Sequence, residues 1–271
     1  MNVDLAKICC RACSYGYERM VGALSDPVRM LALGVTHETF GRRATISVMV
    51  LELADKRLVV FPGTESEWEF VRTPGKTYES LRDWAKNAKF QLTSGITLGV
   101  GGRLHHGFCS EVMALMPLVL DALKRHTISF GEKPLVITGH SQGAAEAAIV
   151  AGVLTVEGHD VEQAITFAAP RPGDADFAVW MAARGITVWR CEYGNDVVPH
   201  LPVPVPGVAH LEFAGVGQLV YGVPNGQTTI VTLAEKLLRE HRDLKLFQHP
   251  ADWAEHHHLP HYLQMLEDFP F

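Results

Sequence analysis

The sequence predicts an α/β fold: a mainly parallel central sheet with helices on both faces and an antiparallel N-terminal edge. Three observations carry this. Short apolar, β-branched runs at 134–138, 164–168 and 186–191 have the composition of parallel strands covered on both faces. Helical patterns at 143–156 and 174–183 separate them, and such alternation lays successive strands side by side with helices above and below. Upstream, 44–53 and 57–61 read as strands joined by a turn at Ala54-Asp55-Lys56, so the sheet begins as a hairpin.

The remaining elements follow in order. Leu5, Cys9, Cys13, Tyr17, Met20 and Leu24 recur at helical spacing and predict an N-terminal helix that lays thiols into the core. Cys10-Arg-Ala-Cys13 has the spacing of a redox or zinc half-site, but no second ligand pair accompanies it and no strand precedes it. Cys109 and Cys191 fall in apolar patterns and are expected to be structural too. Residues 108–126 carry a broad apolar helical face through Val112, Leu115, Met116, Leu118, Leu120 and Leu123. Beyond Asp196, Pro199, Pro202, Pro204 and Pro206 predict an extended surface loop. An edge strand is expected within 211–221, a turn at Pro224-Asn225-Gly226, and a closing helix over 259–268. No repeat, low-complexity run or Gly/Ser linker divides the chain, so one domain over 1–271 is expected.

Bulk composition excludes several classes of partner. A net charge of −6 leaves no basic footprint for nucleic acid or an anionic membrane. Asp4, Lys7 and Arg11 interrupt the first residues, so no signal-peptide core is expected among them. The apolar region at 144–156 contains Glu146 and is too short for a transmembrane segment. A cytoplasmic or processed secreted protein is expected, with its oligomeric state open.

Gly139-His140-Ser141-Gln142-Gly143 is the most informative motif. Three fixed residues recur by chance in roughly one chain in ten of this length, so the placement carries the argument. A buried strand runs into the motif and an alanine-rich helix runs out of it, which forces the serine into a tight turn above the sheet, near the positive end of the helix.

A serine hydroxyl is a weak nucleophile at neutral pH and needs a base, which in turn needs a carboxylate to orient it. In strand–turn–helix nucleophile sites the chain order is serine, acid, histidine. Asp196 follows the 186–191 strand at the carboxyl edge, where ligands bind in open α/β sheets. Asp174 and Asp176 also follow a strand, but Pro172-Gly173-Asp174 reads well as a turn and helix N-cap. His256, His257, His258 and His261 all qualify as the base, and the chain alone does not rank them. His257 and His261 have i, i+4 metal-ligand spacing, but Pro260 interrupts the turn and no H-E-x-x-H is present, so no metal is expected. The oxyanion hole falls to the backbone N–H of Gln142 and to Thr64, which closes Phe61-Pro62-Gly63-Thr64 after an early strand.

These blocks resemble the class 3 lipases, the fungal-lipase-like branch of the α/β-hydrolases. Phe61-Pro62-Gly63-Thr64 resembles F-R-G-T, Asp83-Trp84 the D-W that follows, and His106-Gly107-Phe108 the H-x-G-F block. Gly139 to Ala145 is similar to G-H-S-L-G-G-A, 166–173 to T-F-G-A-P-R-V-G, and 195–202 to N-D-x-V-P-R-L-P. The resemblance spans about 44–263 in family order and implies the α/β-hydrolase fold, with Asp196 as triad acid. The family histidine lies five residues before a tyrosine followed by Leu or Ile, and Tyr262-Leu263 then selects His257. Departures are Pro62 for arginine, Gln142 for leucine and Glu146 for an apolar residue, the last of which points to a polar partner or a solvent-facing surface. A longer segment after Thr64 gives a candidate lid region at 65–92, with 65–81 as its mobile cover.

The expected protein is a serine carboxyl-ester hydrolase of lipase or esterase type. It acts on acyl esters, acylglycerol-type lipids first, through Ser141, His257, Asp196 and an acyl-enzyme, with Thr64 and Gln142 as the oxyanion hole. No cofactor is required. The partners are a small-molecule or lipid ester and, transiently, a lipid interface. Phospholipase A1 and feruloyl-type esterase are the alternatives within the class. A non-catalytic α/β-hydrolase scaffold binding an acyl or hormone-like ligand is the alternative outside it.

Overall fold

The structure is a computed structural model that describes residues 1–44, 46–63, 91–203, 207–208, 212–224, 228–230 and 255–269. Thr64, the Asp83-Trp84 pair and the proposed cover at 65–81 lie outside the described residues, as do Pro204, Pro206, Asn225 and Gly226. Helices are α1 (Val3–Met20), α2 (Pro27–Ala32), α3 (His106–Phe130), α4 (Gln142–Val156), α5 (Ala175–Ala183) and α6 (Leu259–Glu267). Strands are β1 (His37–Arg43), β2 (Ile46–Glu52), β3 (Arg57–Phe61), β4 (Leu92–Ser94), β5 (Arg103–His105) and β6 (Leu135–His140). They continue with β7 (Val161–Phe167), β8 (Gly173–Asp174), β9 (Val188–Tyr193), β10 (Phe213–Ala214), β11 (Gln218–Gly222) and β12 (Thr229–Ile230).

The main sheet has the order β1-β2-β3-β6-β7-β9-β11-β12. β2 pairs antiparallel with both β1 and β3, the run β3-β6-β7-β9-β11 is parallel, and β12 returns antiparallel to β11. The antiparallel N-terminal edge and the parallel centre are thus as expected. β1 is an addition. Its sequence, His-Glu-Thr-Phe-Gly-Arg-Arg, is half exposed and polar, so it has none of the apolar signature of an interior strand. The expected edge strand at 211–221 resolves differently: β11 lies between β9 and β12 in the main sheet, whereas β10 joins a small sheet of order β10-β8-β5-β4. Leu92, at the end of the candidate lid region, belongs to that small sheet as the first residue of β4.

Strand periodicity divides the core in two. Val48, Val50, Val59, Phe61, Leu135 and Ile137 face one side, where α3, α4 and α5 cover them. Met49, Leu51, Leu58, Val60, Val136 and Ile165 face the other, under α1 and α6. Helices therefore cover both faces. Among the described residues one helix, α3, is long and apolar enough to cross a membrane. Its Val112, Leu115, Val119 and Ala122 are buried in the core, as a packed helix requires.

All five cysteines are free and buried. Burial pushes the Cys9 thiol up to about 12 and those of Cys10 and Cys13 well above their ordinary value, so they behave as apolar fillers rather than nucleophiles.

The proline-rich stretch departs from expectation. Val198–His200 forms a 3₁₀ turn, and Val198, Pro199, His200, Leu201 and Pro202 are buried rather than laid over the surface. Buried Arg171 holds them: its Nη1 donates to the carbonyls of His200 (2.6 Å) and Pro202 (2.8 Å), while its backbone N–H donates to Leu201 O. Proline content predicted an extended surface loop and carried no information about this guanidinium.

At the opposite end of β2 and β3, Arg57 Nε donates to Glu52 Oε2 at 2.6 Å, and both side chains are only 1% exposed. His126 Nδ1 and Lys133 Nζ also approach this carboxylate, at 2.9 and 2.7 Å. Burial raises the Glu52 pKa, but Arg57, Lys133 and His126 outweigh it and hold the carboxyl below its ordinary range. A depressed folded pKa contributes stability above the unfolded carboxylate value, and that stability is lost as pH falls through the folded value. Glu52→Ala strands a buried guanidinium and is expected to cost about 3–5 kcal/mol of unfolding free energy, read from denaturant midpoints at neutral pH. That difference should shrink in acid.

Candidate active site

The turn between β6 and α4 is shaped by what its glycines exclude. A Cβ at Gly139 would lie 2.3 Å from Gly143 O, and one at Gly143 would lie 2.3 Å from Phe61 O, at the end of β3. Only hydrogen at these two positions lets β6, α4 and the end of β3 converge. Ser141 between them has φ 55° and ψ −128°, in a region that costs a non-glycine residue about 1–3 kcal/mol. Its side chain does not cap α4, which leaves the hydroxyl aimed over the sheet edge. Gly143→Ala forces backbone apart and is expected to lower stability by about 1–3 kcal/mol or more. A lower denaturant midpoint at unchanged slope would register it.

Ser141 Oγ meets His257 Nε2 at 2.9 Å. His257 Nδ1 lies 2.9 Å from Asp196 Oδ2 and 3.1 Å from Oδ1. All three residues are buried. Asp196 follows β9 and His257 lies two residues before α6, so the parallel strands and the closing helix bring the carboxylate and the imidazole to one edge. The carboxylate is further anchored: Val198 N–H donates to Oδ1 at 2.9 Å and the Tyr262 hydroxyl donates to Oδ2 at 2.6 Å. Burial and the adjacent Asp196 push the Tyr262 phenol well above its ordinary value, which keeps it a donor. With Nδ1–H directed at Asp196, the His257 Nε2 lone pair faces the serine proton.

A second polar chain braces the histidine from behind. His140 Nε2 is 2.9 Å from the carbonyl of His257, and Tyr17 Oη is 2.8 Å from His140 Nδ1. Burial holds the His140 pKa well below its ordinary value, so the ring is neutral. A carbonyl only accepts; Nε2 must therefore donate, and Nδ1 accepts from the tyrosine hydroxyl. Neither Tyr17, which reads as one more core position of an amphipathic helix, nor His140, a variable position of its motif, signals this role in the sequence.

The other histidines have separate partners. His256 Nδ1 accepts from Asn195 N–H at 2.8 Å and packs edge-on to Tyr193, while His261 stacks on the same tyrosine ring at 5.3 Å. His258 is half-buried, and burial followed by the neighbouring histidines lowers its pKa to about 4. Asp174 caps α5 through Phe177 N–H at 3.0 Å and pairs with Arg103 at 2.7 Å; Asp176 is exposed. Of the alternatives in the sequence, only Asp196 and His257 converge on Ser141. Among the described residues no group of three or more His, Cys, Asp or Glu could hold a metal ion.

Gln142 is the first residue of α4, where a backbone N–H has no partner within the helix and points out of its N-terminus. Its side chain turns away: Nε2 donates to Glu111 Oε2 at 2.7 Å and to Glu146 Oε1 at 3.0 Å. Glu146 is buried, so its sequence departure is explained by a polar partner rather than by solvent. The two polar departures, Gln142 and Glu146, satisfy each other.

A strained serine at a strand–helix turn of a mainly parallel sheet, with an aspartate and a histidine following in that order, is the arrangement expected of the α/β-hydrolase fold. Residues 74–205 match the family model of lipase (class 3), the same family that the motifs resemble. This range contains Ser141 and Asp196; His257 lies beyond it and rests on its geometry. Secreted mono- and diacylglycerol lipase A of Penicillium cyclopium is 32% identical over 133 residues, 49% of this chain and 43% of that protein. Secreted mono- and diacylglycerol lipase 1 of Fusarium solani is 33% identical over 135 residues, 48% of this chain and 39% of that protein. These matches thus span less than half the length of either relative. Among solved structures, lipase II from Rhizopus niveus superposes with a TM-score of 0.64 at 20% identity, covering 81% of this chain and 80% of that one. Rhizomucor miehei triacylglyceride lipase gives 0.64 at 20% identity, covering 82% and 81%. These superpositions establish the α/β-hydrolase fold.

Proposed function

We propose that this chain is a serine carboxyl-ester hydrolase of lipase type, acting on acylglycerol-type esters. The observation that carries the reading is the buried hydrogen-bond chain from Ser141 Oγ through His257 to Asp196, with steps of 2.9 Å and 2.9 Å. Ser141 Oγ attacks the ester carbonyl as its proton passes to His257 Nε2, and the imidazolium formed is stabilised by Asp196. The Gln142 N–H, joined by Thr64, donates to the oxyanion. His257 then returns the proton to the departing alcohol, leaving an acyl group on Ser141. Water, deprotonated by the same nitrogen, releases the acid.

The acylglycerol assignment is supported by the Penicillium and Fusarium relatives, which are secreted mono- and diacylglycerol lipases and so also favour a secreted protein. A p-nitrophenyl ester series from acetate to palmitate, with and without an emulsion, tests the substrate class. The expected result is hydrolysis that favours longer chains and rises at the interface. A maximum at acetate with no interfacial gain would contradict a lipase, and no turnover of any ester would contradict a hydrolase.

A further inference from the structure

A cavity of about 420 Å³ opens between α1, α2 and α6, and none of the triad residues lines it. Its size falls within the roughly 300–1,000 Å³ of small-molecule sites. Leu259 and Leu263, one turn apart on α6, form an apolar wall with Leu33, while Arg11 and Arg29 also line the cavity. Two cations beside an apolar wall complement a single-chain anionic amphiphile.

Both arginines keep donors for such an anion. Arg11 stands 4.0 Å from Glu267 and Arg29 pairs with Glu18, yet the guanidinium-bearing side chains are 50% and 47% exposed. A guanidinium has five N–H donors, more than one carboxylate contact uses. The third wall can yield: α2 buries none of its residues, and Val28 and Leu31 on it are 76% and 79% exposed.

From these observations we infer that the α1–α2–α6 cavity is a binding site for a long-chain fatty-acid anion, with its carboxylate on Arg11 and Arg29 and its chain along Leu259 and Leu263. Under the hydrolase reading this ligand belongs to the class of the reaction's own acid product. The link to the product rests on the proposed function, whereas the binding itself does not. The same helix that would hold the chain carries Tyr262, whose hydroxyl donates to Asp196, and follows directly from His257.

The test uses the full chain with Ser141→Ala, so that no turnover is needed, titrated with 11-(dansylamino)undecanoic acid and, in parallel, with its methyl ester. Saturable binding of the acid is expected, weaker by about tenfold or more for the methyl ester and for the double variant R11A/R29A. Ala32→Trp, which adds bulk at an exposed position lining the cavity, is expected to remove the same binding with an unchanged thermal unfolding curve. Absence of saturable binding, or binding unaffected by both Ala32→Trp and the arginine pair, would overturn the site. Either result leaves the hydrolase reading untouched, because ester turnover by the Ser141 enzyme is measured separately.

Discussion

Ser141→Ala is expected to lower kcat on p-nitrophenyl esters by on the order of 10⁶-fold, to near the rate left by binding and oxyanion donors alone. The size follows from what the methyl group cannot do. Without Oγ there is no acyl-enzyme, and His257 Nε2 loses the partner it meets at 2.9 Å. Such a loss corresponds to about 8 kcal/mol of transition-state stabilisation. Folding should be little disturbed, because the Ser141 hydroxyl does not cap α4 and alanine retains a Cβ in the same backbone conformation. Steady-state kinetics with burst titration, beside a thermal unfolding curve, separates lost chemistry from lost structure.

Asp196→Asn is expected to lower kcat by about 10⁴-fold with a much smaller change in KM. The carboxylate accepts from His257 Nδ1, Val198 N–H and the Tyr262 hydroxyl at once. An asparagine amide has one acceptor oxygen and one donor nitrogen. The two donors already fixed by the protein, Val198 and Tyr262, compete for the oxygen, so the amide NH₂ is turned toward a ring nitrogen that must then accept. This selects the imidazole tautomer with its proton on Nε2, which repels the serine proton instead of receiving it. Tyr262→Phe in the same background frees one competing donor and should restore part of the rate. Equal rates for D196N and the double variant would contradict this account of the tautomer.

The sequence exposed the site unevenly, for physical reasons. Ser141 was legible because a strained turn flanked by glycines is a local requirement, and the 2.3 Å approaches at Gly139 and Gly143 are why no other residue serves there. Asp196 was legible because a parallel strand must end at the site edge. His257 was not separable from His256, His258 and His261 by any local rule; family spacing selected it, and it lies 2.9 Å from both Ser141 Oγ and Asp196 Oδ2. Tyr17 and His140 stayed silent, since their contact joins residues 123 positions apart in sequence. Arg171 was silent for the same reason, and its grip on 200–202 turned an expected surface loop into buried structure. In the sheet, β2, β3 and β6 were legible from continuous apolar runs, whereas the polar β1 is held by pairing along β2.

The central claim is that Ser141 is the activated nucleophile of one charge-linked site. Intact-protein mass spectrometry after treatment with a fluorophosphonate, followed by peptide mapping, tests it most directly. The predicted result is a single adduct on Ser141, formed rapidly in the unaltered protein and slowed by orders of magnitude in His257→Ala. No adduct, an adduct on a different residue, or equal labelling of the His257→Ala protein would contradict the account.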